Sequence, residues 1–157
     1  MATATNGAGK LTKKQKAWGS KLPQGKVYAV DVEPDMVKYL GERAGKEGLK
    51  NLFPVRGSAH DANLPEPVDL VLLVDVYHHI EDRPGYFSRV KNLLRAEARV
   101  VIIDFRMDAK DGPPRAARIP PEQVKREMTR AGYGVARELA FLPNQYFLVF
   151  TSSVAPR

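Results

Sequence analysis

Residues Lys26 to Leu40 read KVYAVDVEPDMVKYL, a short apolar run that stops at an acid and passes within a few residues into a helical pattern. The run predicts a strand, and Asp31 stands at its carboxyl end. In nucleotide-binding α/β sheets a carboxylate at this position binds a ribose, because it accepts hydrogen bonds from two neighbouring hydroxyls. The stretch therefore indicates an adenosine-type cofactor. The alternative is that Asp31 is an exposed cap for the helix that follows.

Short apolar runs and amphipathic stretches alternate from Val27 onward. We predict strands over Val27–Val30, Asn51–Val55, Val68–Val74, Arg99–Phe105, Gly134–Ala140 and Gln145–Phe150, and helices over Pro34–Glu47, Pro84–Leu94 and Pro120–Ala131. The runs VDLVLLV and RVVIID are nearly continuous aliphatic stretches, as is typical of central strands buried on both faces. The order β-α-β-α-β-α-β-α-β-β predicts an α/β fold with a Rossmann-like, doubly wound, mostly parallel sheet that ends in an antiparallel hairpin.

The composition limits the classes of protein to which the chain can belong. Its 157 residues suit one domain with a single core. There is no cysteine, which excludes disulfides, thiolate nucleophiles and cysteine-ligated metal sites. The three histidines lack metal-ligand spacing, so we expect no dedicated metal site. No apolar run is long enough to cross a membrane, and the first residues lack the apolar core of a secretory signal, so we expect a cytoplasmic protein.

The net charge of +7 is unevenly distributed along the chain. Six of the 25 basic residues lie within residues 1–26, which contain no acidic residue, so the rest of the chain is nearly neutral. A lysine cluster can contact phosphates, but a solvated helix face or a chain terminus has the same composition. We therefore expect neither a nucleic-acid partner nor a membrane partner, and the oligomeric state is left open.

Polar segments follow two of the predicted strands, at the positions where an open α/β sheet binds its ligands. The first, VRGSAHDANLP, begins at Val55 and contains Ser58, His60 and Asp61. A short polar side chain here can bond the edge of an adenine, although any surface turn has a similar composition.

The second segment, DVYHHIED, runs from Asp75 to Asp82 after the most apolar strand of the chain. Polar groups at the exit of a buried strand need partners or a ligand. Adjacent histidines cannot both face the same way, so we expect one of His78 and His79 to face the pocket. There a neutral imidazole can take a proton from a nucleophile or position a substrate. The alternative is that one histidine packs in the core and the other caps the next helix.

Taken together, KVYAVDVEPDMVKYL, RGSAHDANLP, VDLVLLVDVYHHIED and RVVIIDF resemble, in order and spacing, the class I S-adenosylmethionine-dependent methyltransferases, most closely the small-molecule enzymes of the type 11 kind. The resemblance covers about residues 26–150 and implies S-adenosyl-L-methionine as the cofactor. It implies that Asp31 holds the cofactor ribose, that Ser58 lies at the adenine, and that the segment from Asp75 borders the methyl group and the substrate. The implied catalytic residues are His78 and His79, and the implied cofactor-binding residues are Gly7, Gly9, Asp31, Val32, Met36, Ser58, Ala59 and Asp75.

The chain departs from the family pattern at its front. The family opens with a strand and an acid-x-G-x-G-x-G loop, whose glycines let the backbone approach the methionine part of the cofactor. Here residues 6–9 read NGAG, Thr5 replaces the acid and Leu11 replaces the third glycine. MATAT is a short substitute for a buried strand, so the motif is truncated or degenerate, and we predict a first strand that is weak or missing. That would leave a gap or unsatisfied edges at the centre of the sheet.

We accordingly divide the chain into a basic N-terminal segment, residues 1–25, and a methyltransferase-like domain, residues 26–157. The resemblance implies methyl transfer to a small-molecule acceptor, a reaction that needs alignment and, where the acceptor loses a proton, a base. The incomplete glycine motif could impair this activity. One alternative is a noncatalytic remnant or fragment that acts as an interaction module. Another is an NAD-dependent oxidoreductase, although G-x-G-x-x-G is absent.

The acceptor is not evident from the sequence. From the end of the predicted strand Arg99–Phe105 to the start of the last predicted helix the chain reads FRMDAKDGPPRAARIPP, which is rich in proline and charge. Arg106, Arg115 or Arg118 could pair there with an acidic substrate. The alternative is a solvated loop.

Overall fold

The structure of the protein, a computed structural model, describes residues 2–4 and 24–152. Its strands are β1 (Ala2–Ala4), β2 (Val27–Asp31), β3 (Leu52–Arg56), β4 (Val68–Val74), β5 (Leu94–Phe105), β6 (Tyr133–Leu139) and β7 (Gln145–Ser152). Its α-helices are α1 (Pro34–Lys46), α2 (Arg83–Lys91) and α3 (Pro121–Arg130), and single 3-10 turns span Tyr77–His79 and Arg115–Ala117. Within the described ranges, each helix is too short or too polar to cross a membrane.

The described strands form one sheet in the order β3-β2-β1-β4-β5-β7-β6. The pairs from β3 across to β5 are parallel, whereas β7 runs antiparallel to both β5 and β6. The predicted α/β fold, with a mostly parallel sheet and a closing antiparallel hairpin, is confirmed. Strand order reverses at the centre of this sheet, which is where doubly wound folds bind their ligands.

The first strand is present but short. Residues Ala2–Ala4 lie between β2 and β4, and Thr3 pairs with Ala29 on one side and with Leu72 on the other. The expected gap at the centre of the sheet is therefore absent over these three residues. Parallel pairing on both sides satisfies backbone groups that would otherwise be left unbonded.

One predicted helix ends earlier than expected, and a helix expected between β3 and β4 is replaced by a loop. Leu94, predicted as the last residue of a helix, begins β5 instead, because α2 ends at Lys91 and Leu94 pairs with Val68. A register shift between Val68 and Leu70 accompanies this early start of the β4–β5 pairing. The alternating pattern also placed a helix between β3 and β4, but residues 57–67 form an irregular loop. This loop contains Pro65 and Pro67, which disfavour a helix because they cannot donate backbone hydrogen bonds.

The largest core cluster packs α2 and α3 against one face of the sheet. Phe87 of α2 is fully buried, and its ring lies 5.6 Å from the ring of Tyr77 and 6.4 Å from that of Tyr133. Ile102 and Leu148, which pair across β5 and β7, are equally buried in the same cluster. These contacts hold the segment after β4 against the two helices.

Truncation of Phe87 tests this packing. Phe87→Ala should lower the free energy of unfolding by about 3–5 kcal/mol, because it removes buried apolar surface and leaves a cavity. Phe141, 67% exposed, is the matched control, and Phe141→Ala should cost less than about 1 kcal/mol. Urea denaturation measures both values, and similar losses in the two variants would contradict the assignment of Phe87 to the core.

A second tie between α3 and the segment after β4 is polar. Glu127 of α3 accepts hydrogen bonds from the hydroxyl of Tyr77 at 2.8 Å and from Arg83 Nε at 2.7 Å. Arg83 Nη2 and Gln123 Nε2 donate to its other oxygen at 3.1 and 2.8 Å. Burial acts to raise the pKa of Glu127, but these hydrogen bonds outweigh it and hold the pKa below its ordinary value of 4.5. Burial and the bond to Glu127 raise the pKa of Tyr77, which stays protonated.

The ion pair between Glu127 and Arg83 should make the free energy of unfolding depend on pH. Glu127→Gln should lower the free energy of unfolding at pH 7 by about 3 kcal/mol, since Arg83 loses its charged partner in a mostly buried site. Because folding lowers the pKa of Glu127, its contribution is present above the ordinary pKa and is lost as the pH falls through the folded value. The difference between wild type and variant should therefore shrink in acid. Urea denaturation between pH 3 and pH 7 measures it.

The exposed pair of Asp69 and Arg95 supplies the control for this variant, because its side chains are 70% and 50% exposed. Asp69→Asn should cost less than about 1 kcal/mol at every pH. A loss of stability from Glu127→Gln that is equally small, or that does not change with pH, would contradict the described pairing of Glu127 with Arg83 and Tyr77.

Candidate functional site

The parallel strands place several polar side chains at one edge of the sheet. β2, β4 and β5 all end there, and their carboxyl ends carry Asp31, Asp75 and Asp104. Asp31 and Asp104 are 2% and 1% exposed, and they are the buried charged side chains of the described core. Carboxylates are seldom buried without partners, so this edge is the first place to look for a site.

Asp31 is a buried carboxylate rather than an exposed helix cap. Its Oδ1 accepts the backbone N–H of Glu33 at 2.9 Å, and its carbonyl oxygen accepts the N–H of Gly57 at 3.0 Å. The residue that caps α1 is Glu33, and Asp31 is buried, so the alternative of an exposed cap is wrong. Val32 is 47% exposed beside it, and Met36 is half-buried in the first turns of α1.

The loop after β3 is held against Asp31 by close packing at Gly57. A Cβ at Gly57 would lie 2.9 Å from Val30 Cγ1, so the loop can approach β2 only with glycine here. Ser58 folds the loop on itself, because its Oγ accepts the backbone N–H groups of His60 at 3.2 Å and Asp61 at 3.0 Å. Ser58, Ala59 and His60 are exposed on this turn.

Asp75 follows β4 in a left-handed backbone conformation, with φ of 58°. This conformation is unfavourable for residues other than glycine and often marks a functional turn. The backbone N–H of Asp75 donates to the carbonyl of Ile103 at 2.8 Å, and its Oδ1 accepts a hydrogen bond from Gln145 Nε2. Sequence reasoning missed Gln145, because its proximity to Asp75 arises only from the antiparallel return of β7 beside β5.

His78 and Asp104 form a buried pair. His78 Nδ1 lies 2.8 and 2.9 Å from the two carboxylate oxygens of Asp104, and its backbone N–H donates to Oδ2 at 3.2 Å. The two side chains are 6% and 2% exposed. Because an ionised carboxylate only accepts hydrogen bonds, the neutral form of this imidazole carries its proton on Nδ1 and its lone pair on Nε2. Nε2 forms no hydrogen bond within residues 24–152.

Sequence reasoning also missed Asp104. The one available signal was an acid at the end of the aliphatic run RVVIID, equivalent to Asp31 at the end of its own strand. The spacing could not link Asp104 to a histidine 26 residues earlier.

His79 differs from its neighbour in exposure and contacts. Its side chain is exposed, and its ring lies 4.1 Å from the ring of His78, measured between centroids. Partial desolvation and the adjacent His78 lower the pKa of His79, so this imidazole is neutral near pH 7. The expectation that adjacent histidines cannot both face the same way is wrong, because the two residues share a 3-10 turn and their rings are in contact.

Two of the arginines after β5 are engaged within their own loop. Arg106 pairs with Asp108 at 3.0 Å. Arg118 Nη1 donates to the carbonyls of Ala109 at 2.8 Å and Arg106 at 3.1 Å, and its Nε donates to that of Pro113 at 2.9 Å. Arg118 therefore organises the backbone of the loop rather than presenting a free cation, whereas Arg115 is exposed.

The described donor set fits the adenosine part of a nucleoside cofactor. A buried carboxylate ends β2, an exposed apolar side chain follows it, and a polar turn packs beside it through Gly57. Gly7 and Gly9, expected to approach the rest of the cofactor, lie outside the described residues. Among the residues that the structure describes, no three His, Asp or Glu side chains form a group that could hold a metal ion.

Comparison with known proteins agrees with this architecture. A family model described as methyltransferase domain matches residues 4–102. A SAM-dependent methyltransferase from Aquifex aeolicus is similar in structure, with a TM-score of 0.84 and 24% identity, over 95% of this chain and 79% of that chain. A protein described as a type 11 methyltransferase from Sulfolobus solfataricus gives a TM-score of 0.72 and 21% identity, over 98% and 85% of the two chains.

A third similar structure is that of the glycopeptide N-methyltransferase MtfA complexed with S-adenosylmethionine. Its TM-score is 0.75 at 14% identity, over 96% of this chain and 80% of that chain. No curated protein sequence matches the chain. The family model covers more than half of the sequence, and the similar structures share the α/β fold described above. The chain therefore belongs to the class I S-adenosylmethionine-dependent methyltransferases, with S-adenosylmethionine as its cofactor.

Proposed function

We propose that the protein transfers the methyl group of S-adenosylmethionine to a small-molecule acceptor that loses a proton, with His78 as the general base. The observation that carries this proposal is the buried pair of His78 and Asp104 at the edge of the sheet where Asp31 and Asp75 also end. A base oriented by a buried carboxylate is a common arrangement for taking a proton from a nucleophile.

The cofactor is assigned to the half of this edge around β2. Asp31 would accept hydrogen bonds from the ribose hydroxyls, with Val32 and Met36 against the adenine. Ser58 and Ala59 would contact the adenine edge from the turn after β3. Asp75 would border the methionine part, together with Gly7 and Gly9 of the N-terminal segment. When bound, S-adenosylmethionine supplies a methyl group on a positively charged sulfur, which keeps the electron pair of the carbon–sulfur bond as the acceptor heteroatom takes the methyl carbon.

His78 acts on the acceptor through Nε2. Asp104 holds Nδ1–H, which fixes the tautomer, leaves the lone pair on Nε2, and stabilises the imidazolium that forms when Nε2 takes the acceptor proton. General-base catalysis of this kind contributes roughly 10²–10⁴-fold to rate. His79, exposed and neutral, is assigned the outer side of the acceptor site, with no proton transfer of its own.

The charge at this edge favours a neutral or cationic acceptor over an acidic one. Three carboxylates end the strands here, whereas three of the arginines are engaged elsewhere: Arg83 with Glu127, Arg106 with Asp108, and Arg118 with backbone carbonyls. An acidic acceptor would meet repulsion from the carboxylates that these three arginines do not offset. Phenols and amines have the required proton and no negative charge before reaction.

Cofactor binding tests the assignment of Asp31. Asp31→Asn keeps the side-chain size but removes the charge, and it should weaken binding of S-adenosylhomocysteine by about 10- to 100-fold, the usual effect of losing charge-assisted hydrogen bonds. Asp35→Asn, at an exposed acid in the first turn of α1, is the control and should change binding less than about twofold. Isothermal titration gives both constants, and near-ultraviolet circular dichroism verifies folding. Unchanged binding in folded Asp31→Asn would remove the ribose assignment.

Turnover tests the base. Wild-type protein is mixed with S-adenosylmethionine and a panel of neutral and cationic acceptors, with catechol, phenol and benzylamine as first probes, and release of S-adenosylhomocysteine is measured. His78→Gln and Asp104→Asn should lower kcat by about 100-fold and 10-fold, respectively, with binding of S-adenosylhomocysteine unchanged. The control is Asp69→Asn, at an exposed residue near the amino end of β4, expected within about threefold of wild type. If His78→Gln turns over at the wild-type rate, the base lies elsewhere, and a wild type that binds the cofactor product but methylates none of the panel would favour a noncatalytic module.

A further inference from the structure

The hydroxyl of Tyr146 has no role in the mechanism above and no hydrogen-bond partner within the described residues. Tyr146 is 5% exposed in β7, and its Oη is one of two fully buried side-chain oxygen or nitrogen atoms in the described ranges that lack a partner, the other being Ser152 Oγ. Tyr133 and Tyr77, two buried tyrosines of the same core cluster, donate to the carbonyl of Phe87 at 2.9 Å and to Glu127 at 2.8 Å. An unbonded buried hydroxyl is costly, so Tyr146 calls for an explanation.

The sheet places Tyr146 beside the candidate base. Tyr146 pairs in register with Asp104 across the antiparallel β5–β7 ladder, so the two side chains project from the same face of the sheet as neighbours. The preceding residue, Gln145, donates a hydrogen bond to Asp75, which follows β4 at the same edge of the sheet. Burial, and next the charge of Asp104, raise the pKa of Tyr146, so its hydroxyl is protonated and can donate. The charges of Arg83, Glu127 and Asp75 also act on this hydroxyl.

The hydrogen-bonded carboxylates whose charges act on Tyr146 include Asp104 and Glu127, and neither binds its hydroxyl. Asp104 accepts three N–H groups: the Nδ1–H of His78, which lies between its two oxygens, the N–H of Phe105 at Oδ1, and the backbone N–H of His78 at Oδ2. Glu127 accepts two hydrogen bonds at each oxygen, so it has no acceptor position left.

We propose that Tyr146 is an acceptor-binding residue whose hydroxyl donates a hydrogen bond to the acceptor heteroatom that His78 deprotonates. This inference rests on the proposed function and deepens it, because it assigns a second contact to the same acceptor atom. As Nε2 of His78 takes the proton, negative charge grows on that atom, and the O–H of Tyr146 stabilises it until the methyl group is bound. The hydroxyl keeps its own proton throughout.

The inference excludes part of the acceptor class. An acceptor heteroatom must accept from Tyr146 while it gives a proton to His78, so it needs both a lone pair and a proton. A phenol or an alcohol meets this requirement, because its oxygen keeps one lone pair for Tyr146 beside the pair that attacks the methyl carbon, whereas an amine or a thioether does not.

Tyr146→Phe and its matched control Tyr133→Phe test the proposal by opposite effects. Tyr146→Phe should leave Tm equal to wild type or raise it, because it removes an unbonded polar group, and it should lower kcat/KM for the fastest acceptor of the panel by about tenfold. The loss should fall mainly in kcat, and binding of S-adenosylhomocysteine should not change. Tyr133→Phe should lower Tm, because the carbonyl of Phe87 loses its donor, and should leave kcat/KM within about threefold of wild type.

Two results would overturn the proposal. A Tm for Tyr146→Phe clearly below wild type, in the absence of any ligand, would mean that the hydroxyl has an internal partner such as a buried water. An unchanged kcat/KM would mean that it does not contact the acceptor. Failure of the proposed function looks different: wild type would bind S-adenosylhomocysteine but methylate no probe, and the Tm comparison would still decide whether Tyr146 has an internal partner.

Discussion

The hydrogen bonds from His78 to Asp104 join the segment after β4 to the carboxyl end of β5. The carboxylate of Asp104 binds both the ring and the backbone N–H of His78, so it positions the side chain and the turn that carries it. Because the pair is almost fully buried, its geometry is shielded from water. Three assignments depend on this contact: His78 as the base, the acceptor site beside it, and Tyr146 as an acceptor-binding residue.

The turn after β4 is held from two sides. Asp104 holds His78 at the edge of the sheet, and Glu127 holds Tyr77, the preceding residue, against α3. Each carboxylate accepts at least three hydrogen bonds, which permits two negative charges to remain in a mostly apolar environment. The hydroxyl of Tyr146 forms a hydrogen bond with neither of them. A rigid turn beside an unsatisfied donor is a suitable arrangement for binding an incoming polar atom.

The central strand β1 shows that a parallel sheet can include a segment whose composition only weakly favours a strand. Residues Ala2–Ala4 are not a strong strand by composition, yet they pair with β2 and β4 on both sides. The neighbouring strands supply both ladders, so backbone hydrogen bonding rather than side-chain preference determines the conformation there. This pairing also sets the spacing between Asp31 and the turn that begins at Asp75, the two sides of the cofactor assignment.

Local pattern by itself determined the strands and helices of residues 26–152 to within a few residues, the parallel order with its closing hairpin, and the acid after β2. Those features depend on apolar periodicity, proline and glycine positions, and strand-end polarity, all of which are local. The pattern was wrong at Leu94 and between β3 and β4, where pairing with Val68 and the prolines of the loop outweighed helical periodicity.

Only the tertiary structure decided which residues meet at the strand ends. Asp104 lies 26 residues after His78, and Gln145 lies 70 residues after Asp75, so no local pattern could pair them. The burial of Asp31, the commitment of Arg118 to backbone carbonyls and the unpartnered hydroxyl of Tyr146 likewise depend on strand register and loop closure. Sequence periodicity specifies which face of a strand is apolar, whereas the partner of each polar group is set by the assembled sheet.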